Sequence, residues 1–132
     1  MRKMNSSYLE KKIYYHDTDC GGVVYYANYL KYLEEARTEY LLERGIELRK
    51  LADDNIHFVV ARVEIDYKSP AHYQEKIGIS TRIEYAKLST VRFSQEVKRG
   101  ETTIAEAATT LVCIGKDFKS IPLPDGVKNK LK

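Results

Sequence analysis

HDTDCGGVVYYANYLKYLEEAR, residues 16 to 37, decides the reading of this chain, because a turn-forming segment runs directly into a helix within it. The HDTDCGG portion combines Asp, Thr and two adjacent glycines, residues that hydrogen-bond locally or accept backbone angles closed to other side chains. From about Ala27 to Arg44 there is no Gly or Pro, and Tyr29, Leu33, Ala36 and Tyr40 recur at offsets of four, three and four. That spacing is the apolar stripe of an amphipathic helix. Asn28 stands where an N-cap is expected, and Gly45 where a left-handed residue closes the last turn.

Working outward, residues 8 to 15 place Leu9, Ile13 and Tyr15 on one side of an extended segment, which predicts a first strand leading into the loop. Beyond the helix, residues 47 to 54 predict a short helical turn. A long strand then follows, with Val59, Ala61, Val63, Ile65 and Tyr67 alternating against Arg62, Glu64 and Asp66. Ser69-Pro70 breaks it, and Ile77, Ile79, Thr81 and Ile83 alternate as a third strand. Val91, Phe93, Gln95 and Val97 share a face of a fourth. A tight reversal at Arg99-Gly100-Glu101 leads to a fifth, carrying Ala105, Ala107, Thr109, Leu111 and Cys113. The tail after about residue 116, with Pro122 and Pro124, reads as partly irregular. One helix after the first strand, then a run of antiparallel strands, predicts an α+β fold with the helix against one sheet face, a single domain over residues 1 to 132. Such a sheet leaves an apolar edge, and apolar edges pair with a second copy, so a homodimer is expected.

Composition bounds the function. Of the 132 residues 43% are hydrophobic and 31% charged, as in a folded globular chain. The net charge of +3 is spread over both signs, so nucleic acid is not implied, although a mildly basic surface suits an anionic small molecule. Cys20 and Cys113 form no metal-type pair, which suits a reduced, cytoplasmic protein. The polar start MRKMNSSYLEKK lacks the apolar stretch of a signal peptide, and no run approaches the roughly 20 apolar residues of a membrane span.

The chemistry concentrates at the loop-to-helix junction. The first turn of a helix leaves backbone N–H groups unpaired and partly positive, so it can hold an anion or a developing oxyanion. Asp17 and Asp19 both precede this turn, and Gly21 and Gly22 allow close approach of a ligand. A carboxylate beside such donors is a candidate hydrolytic site; an ordinary capped loop would use the same residue types.

The segment D-T-D-x-G-G-V-V-Y-x-x-N-Y-L, followed by E-x-A-R-T-E on the helix, resembles the 4-hydroxybenzoyl-CoA thioesterase and YbgC-type branch of the hotdog superfamily. YKSPAHYQEKIGISTRI and KLSTVRFSQEV resemble later strand blocks of the same family, so the likeness spans nearly the whole chain. The resemblance implies a long helix wrapped by a curved antiparallel sheet of about five strands, dimerised edge to edge, with a tetramer as a further possibility. It implies hydrolysis of an acyl-CoA thioester with no cofactor beyond the coenzyme A of the substrate.

Carried over by position, the resemblance makes Asp19 the catalytic carboxylate, acting as nucleophile or as general base toward water. The backbone N–H of Tyr26 becomes the oxyanion donor, with Gly22, Val24, Tyr25 and Asn28 beside the substrate and Lys87, Ser89 and Arg92 toward the coenzyme's phosphates. Tyr26 departs from the YbgC-type pattern, which has His there, whereas the 4-hydroxybenzoyl-CoA branch can have Tyr. That leaves aliphatic and aromatic acyl groups both open, with short or medium aliphatic acyl-CoA favoured by the E-E-A-R-T-E helix.

Other readings compete. His16 with Asp17 and Asp19 could ligate a metal, but no third His or Cys follows at ligand spacing, and none is assigned. Cys20 lacks an identifiable His base. Glu34 and Glu35 read as an exposed helix face, His57 and His72 as surface positions, and the tyrosine stripe as core, with Tyr29 divided between core and site. The alternatives for the whole chain are a hotdog dehydratase, which would show a His paired with a carboxylate, and a non-catalytic acyl-CoA or protein-binding module.

Overall fold

The computed structural model describes residues 6–131. In chain order the elements are β1 (Ser6–Lys12), a single 3-10 turn (Tyr15–Asp17), α1 (Asn28–Glu43), α2 (Leu48–Asp53), β2 (His57–Tyr67), β3 (Lys76–Lys87), β4 (Thr90–Arg99), β5 (Thr102–Ile114) and α3 (Asp125–Lys130). The strands form one antiparallel sheet in the order β1-β3-β4-β5-β2. Register shifts at Val60/Arg62, Ile83/Tyr85 and Val97/Lys98 mark bulges, which bend a strand and increase its twist. The bent sheet holds α1 against one face, the α+β hotdog arrangement.

The expected stripe of α1 is the buried one, with Tyr29, Leu33, Ala36 and Tyr40 each no more than 3% exposed. Sixteen residues at about 1.5 Å rise give α1 a length of about 24 Å, enough to run across the sheet and divide the core in two. Its first half packs with Ile77, Ile79, Val97 and Ile104; its second half meets Val91, Phe93, Leu111 and Cys113. Between the halves lies a polar seam. Arg37 donates to Gln95 Oε1 at 3.2 Å and Thr109 Oγ1 at 3.4 Å, while Gln95 Nε2 donates to the Leu33 carbonyl and to Thr81 Oγ1, both at 3.0 Å. Burial pushes the Arg37 guanidinium pKa down, and no carboxylate among the described residues ion-pairs with it.

Four local expectations change. β1 stops at Lys12, so Ile13 is buried while Tyr15 turns out to solvent. In β2 the bulge at Ala61 shifts the alternation: Phe58 and Val60 lie opposite Cys113 and Leu111, Val63 and Ile65 opposite Thr109 and Ala107, and Val59 falls on the other face. The tail is partly helical, because Leu123, Val127 and Leu131 close the second core half. Asn28 is not the cap of α1; Ala27 holds that position and makes no side-chain cap. Gly45 does close α1, with φ 76° and its N–H on the Leu42 carbonyl at 3.0 Å, while Ile46 N–H reaches Leu41.

Candidate active site

The two aspartates of the DTD run face opposite ways. After β1 the chain turns through Tyr15–Asp17, and the Asp17 carboxylate accepts the Tyr14 backbone N–H at 2.9 Å. The Asp17 carbonyl accepts the Tyr25 N–H at 3.1 Å and the Asn28 side-chain amide at 2.8 Å. Asp17 is 1% exposed. Burial works against its charged form. The Tyr14 N–H, the facing Tyr32 hydroxyl, His16 and Lys31 outweigh burial and hold its pKa below the usual carboxylate value.

Asp19 points outward. Its N–H meets the Val23 carbonyl at 2.9 Å, the Gly22 N–H returns to the Asp19 carbonyl at 3.0 Å, and the Gly21 N–H donates to Asp19 Oδ1 at 2.8 Å. Gly22 takes φ 79°, which an L side chain would strain. Oδ2 of Asp19 has no hydrogen-bond partner among the described residues. Val24 N–H on the Ala71 carbonyl at 2.8 Å, with bridges Thr18 to Val24 and Val23 to His72, sews the loop onto the β2–β3 connection. Cys20 is exposed at the loop tip.

The N-terminus of α1 completes the arrangement. Asn28, Tyr29 and Leu30 donate their N–H groups to Tyr25, Tyr26 and Ala27. With the Tyr25 N–H taken by Asp17, the N–H groups of Tyr26 and Ala27 are the ones without an acceptor among the described residues. An oxyanion would be held there by backbone dipoles fixed before it forms. Around them gather tyrosines. Tyr25 and Tyr26 have ring centroids 4.9 Å apart, Tyr67 sits edge-on to Tyr26 at 6.3 Å and tilted against Tyr29 at 5.5 Å, and the Tyr67 hydroxyl donates to the Tyr26 carbonyl at 3.2 Å. Tyr29 is core, 3% exposed, whereas Tyr26 is 62% exposed. The sequence reading missed Tyr67 as a neighbour of this site, since nothing local ties the end of β2 to residue 26. It likewise missed the contact of Lys31 with Asp17, at 3.9 Å.

Lys87, Ser89 and Arg92 are not brought to Asp19 within one chain. They cluster at the β3–β4 hairpin end, while the Asp19 loop is sewn to the chain just before Lys76, the other end of β3. Arg92 spends its charge on Glu84 at 3.0 Å and Glu64 at 3.1 Å, with a further bond to Thr110 at 3.1 Å. Glu34 accepts a hydrogen bond from Thr38 on the helix exterior, and Glu35 pairs with Lys11 at 3.6 Å. A groove of about 670 Å³ crosses the sheet away from this loop, lined by Glu64, Asp66, Arg82, Ser94, Glu96 and Glu106 among others. Among the described residues no three His, Cys, Asp or Glu side chains gather as metal ligands.

Residues 14–131 match the model of the thioesterase-like superfamily. The chain is 32% identical over 123 residues to the acyl-CoA thioester hydrolase YbgC of Escherichia coli O6:H1, covering 92% of each. It is 35% identical over 120 residues to the acyl-CoA thioesterase YbgC of Haemophilus influenzae, covering 89% of this chain and 88% of that one. Its fold superposes on the 1,4-dihydroxy-2-naphthoyl-CoA thioesterase Slr0204 of Synechocystis with a TM-score of 0.89 at 25% identity, over 96% of this chain and 95% of the other.

Proposed function

This chain belongs to the thioesterase-like superfamily and is a thioester hydrolase, and from that premise we propose that it cleaves acyl-CoA with Asp19 as the catalytic carboxylate. One observation carries the assignment: of two aspartates two residues apart, Asp17 is buried with its groups engaged, while Asp19 is exposed with Oδ2 unclaimed among the described residues. Hydrolysis adds water across the C–S bond, giving a carboxylic acid and the coenzyme's thiol. Asp19 either attacks the carbonyl carbon through Oδ2, expelling the thiolate and leaving an anhydride that water then hydrolyses, or takes a proton from the water that attacks the carbonyl as the thiolate leaves. In both routes negative charge grows on the carbonyl oxygen, and the Tyr26 N–H receives it. One such donor lowers the barrier by about 3 kcal/mol.

Gly22, Val24, Tyr25 and Asn28 are assigned to the acyl end. The coenzyme's phosphates go to Lys87, Ser89 and Arg92, and a second copy of the chain must present them. Eleven residue steps separate Lys76 from Lys87, about 36 Å along an extended strand. The β2 edge, with Val59, Val60 and Val63 at least 36% exposed, is the surface on which a homodimer forms. Short or medium aliphatic acyl groups are the favoured substrates on the resemblance of the E-E-A-R-T-E helix to the YbgC type, and the Slr0204 likeness keeps aromatic acyl groups as the second reading.

The test is thiol release from acetyl-, butyryl-, hexanoyl-, palmitoyl- and 4-hydroxybenzoyl-CoA by the folded protein. Turnover highest on butyryl- or hexanoyl-CoA is expected. Preference for 4-hydroxybenzoyl-CoA would move the assignment to the aromatic branch, and no turnover on any ester would contradict the enzymatic reading in favour of a binding module.

A further inference from the structure

We infer that Asp17 is the positioning residue of this site, a buried carboxylate that locks the end of β1, the Asp19 loop and the first turn of α1 into one unit. The inference rests on the reading of Asp19 and Tyr26 given above. Among the described residues Asp17 is the one buried carboxylate. Burying a charge is unfavourable unless specific partners offset it, so its retention calls for a local reason. Its partners come from both sides of the site. From the chain before the loop come the Tyr14 N–H at 2.9 Å and His16 Nε2 at 3.7 Å; from α1 comes Lys31 Nζ at 3.9 Å. The Tyr32 hydroxyl, fully buried, faces the same carboxylate and has no hydrogen-bond partner among the described residues. Lys11 and Lys31 both lie over the Tyr32 ring, at 5.3 and 5.8 Å from its centroid, so the surroundings are cationic from β1 as well as from α1.

The main chain of the same residue does the second half of the work. By accepting the Tyr25 N–H and the Asn28 amide, the Asp17 carbonyl fixes where the helix begins and leaves the Tyr26 N–H as the first free donor. Two residues later the chain presents Asp19. The spacing between the carboxylate and the oxyanion donor is therefore set through Asp17, which itself touches no substrate. Misplacement of a reacting group by about 1 Å costs on the order of a hundredfold in rate.

The experiment compares wild type with Asp17→Asn, which keeps the shape and removes the charge, and with Lys31→Met, a change at a largely exposed position. Steady-state hydrolysis of the best ester of the panel is measured, together with amide hydrogen exchange over residues 20–30. For Asp17→Asn, kcat should fall by about thirty- to a hundredfold with KM within about twofold. Exchange across the loop and first helical turn should quicken. Lys31→Met should change kcat and exchange in the same directions by less. A kcat within about threefold of wild type, or loop exchange unchanged, in Asp17→Asn overturns the inference. If Asp17→Asn is unfolded at the assay temperature, Lys31→Met decides in its place, and unchanged kcat and exchange there overturn it. Wild type that turns over no ester refutes the thioesterase reading instead, and exchange in Asp17→Asn then decides the positioning role alone.

Discussion

Asp17 and Asp19 are chemically identical, separated by one threonine, and only their surroundings divide the labour between them. In the sequence the D-T-D run marks a site, and the family resemblance picks its second member. What makes the first member structural is not legible there, because the partners that bury it are set by the turn at Tyr14 and by the helix face at Lys31 and Tyr32. The titration of Asp17 gives a direct check. Its folded pKa lies below the ordinary Asp value of about 4, so the charged carboxylate stabilises the fold above that pH, and the contribution disappears as pH falls through the lowered folded value. Wild type should accordingly be more stable than Asp17→Asn at pH 7, with the difference in urea midpoint shrinking below about pH 4. A difference that is constant from pH 7 to pH 3 would contradict the charge-based account.

At the scale of elements, α1 was the most legible part, since a period of 3.6 residues and a closing Gly45 act locally. The strands β3, β4 and β5 were read correctly for the same reason: the alternating residues Ile77 to Thr81, Val91 to Val97 and Ala105 to Cys113 are the buried ones. β2 was read in phase at Val63, Ile65 and Tyr67 but misphased before Ala61, because a bulge adds one residue without altering the apparent alternation of apolar side chains. The cap at Asn28 failed because its amide is drawn to the Asp17 carbonyl, a contact made across eleven residues. The seam under α1 was invisible in the sequence, which shows Gln95 merely in line with apolar neighbours. Gln95 is the hub of that seam, bonded to Arg37, Leu33 and Thr81. Replacing it in Gln95→Leu leaves a guanidinium, a carbonyl and a hydroxyl buried without this partner and should lower stability by about 2–3 kcal/mol. Denaturant unfolding measures this, and a loss below about 0.5 kcal/mol would show that the seam is compensated elsewhere.

For the whole molecule, the topology leaves β2 at one edge of the sheet with an exposed apolar row, and leaves the Asp19 loop at the opposite end of the β3–β4 hairpin from Lys87. The homodimer proposed above would cover that edge and join the two ends of the site. No helix among the described residues is long and apolar enough to cross a membrane. Val63→Lys places a charge on that edge, and light scattering after size-exclusion chromatography should then find a monomer, with turnover lost as well. A mutant that stays dimeric, or a monomer of undiminished activity, would contradict the shared site. The central claim is that Asp19 carries the reaction, and it is tested most directly by thiol release from the preferred acyl-CoA in Asp19→Asn beside wild type. Because Asp19 is exposed and, among the described residues, makes a single side-chain hydrogen bond, to the Gly21 N–H, the variant should fold and still bind acyl-CoA. Turnover should drop at least a hundredfold, on the order expected for loss of a catalytic base or nucleophile. Turnover within a few-fold of wild type would remove Asp19 from the mechanism.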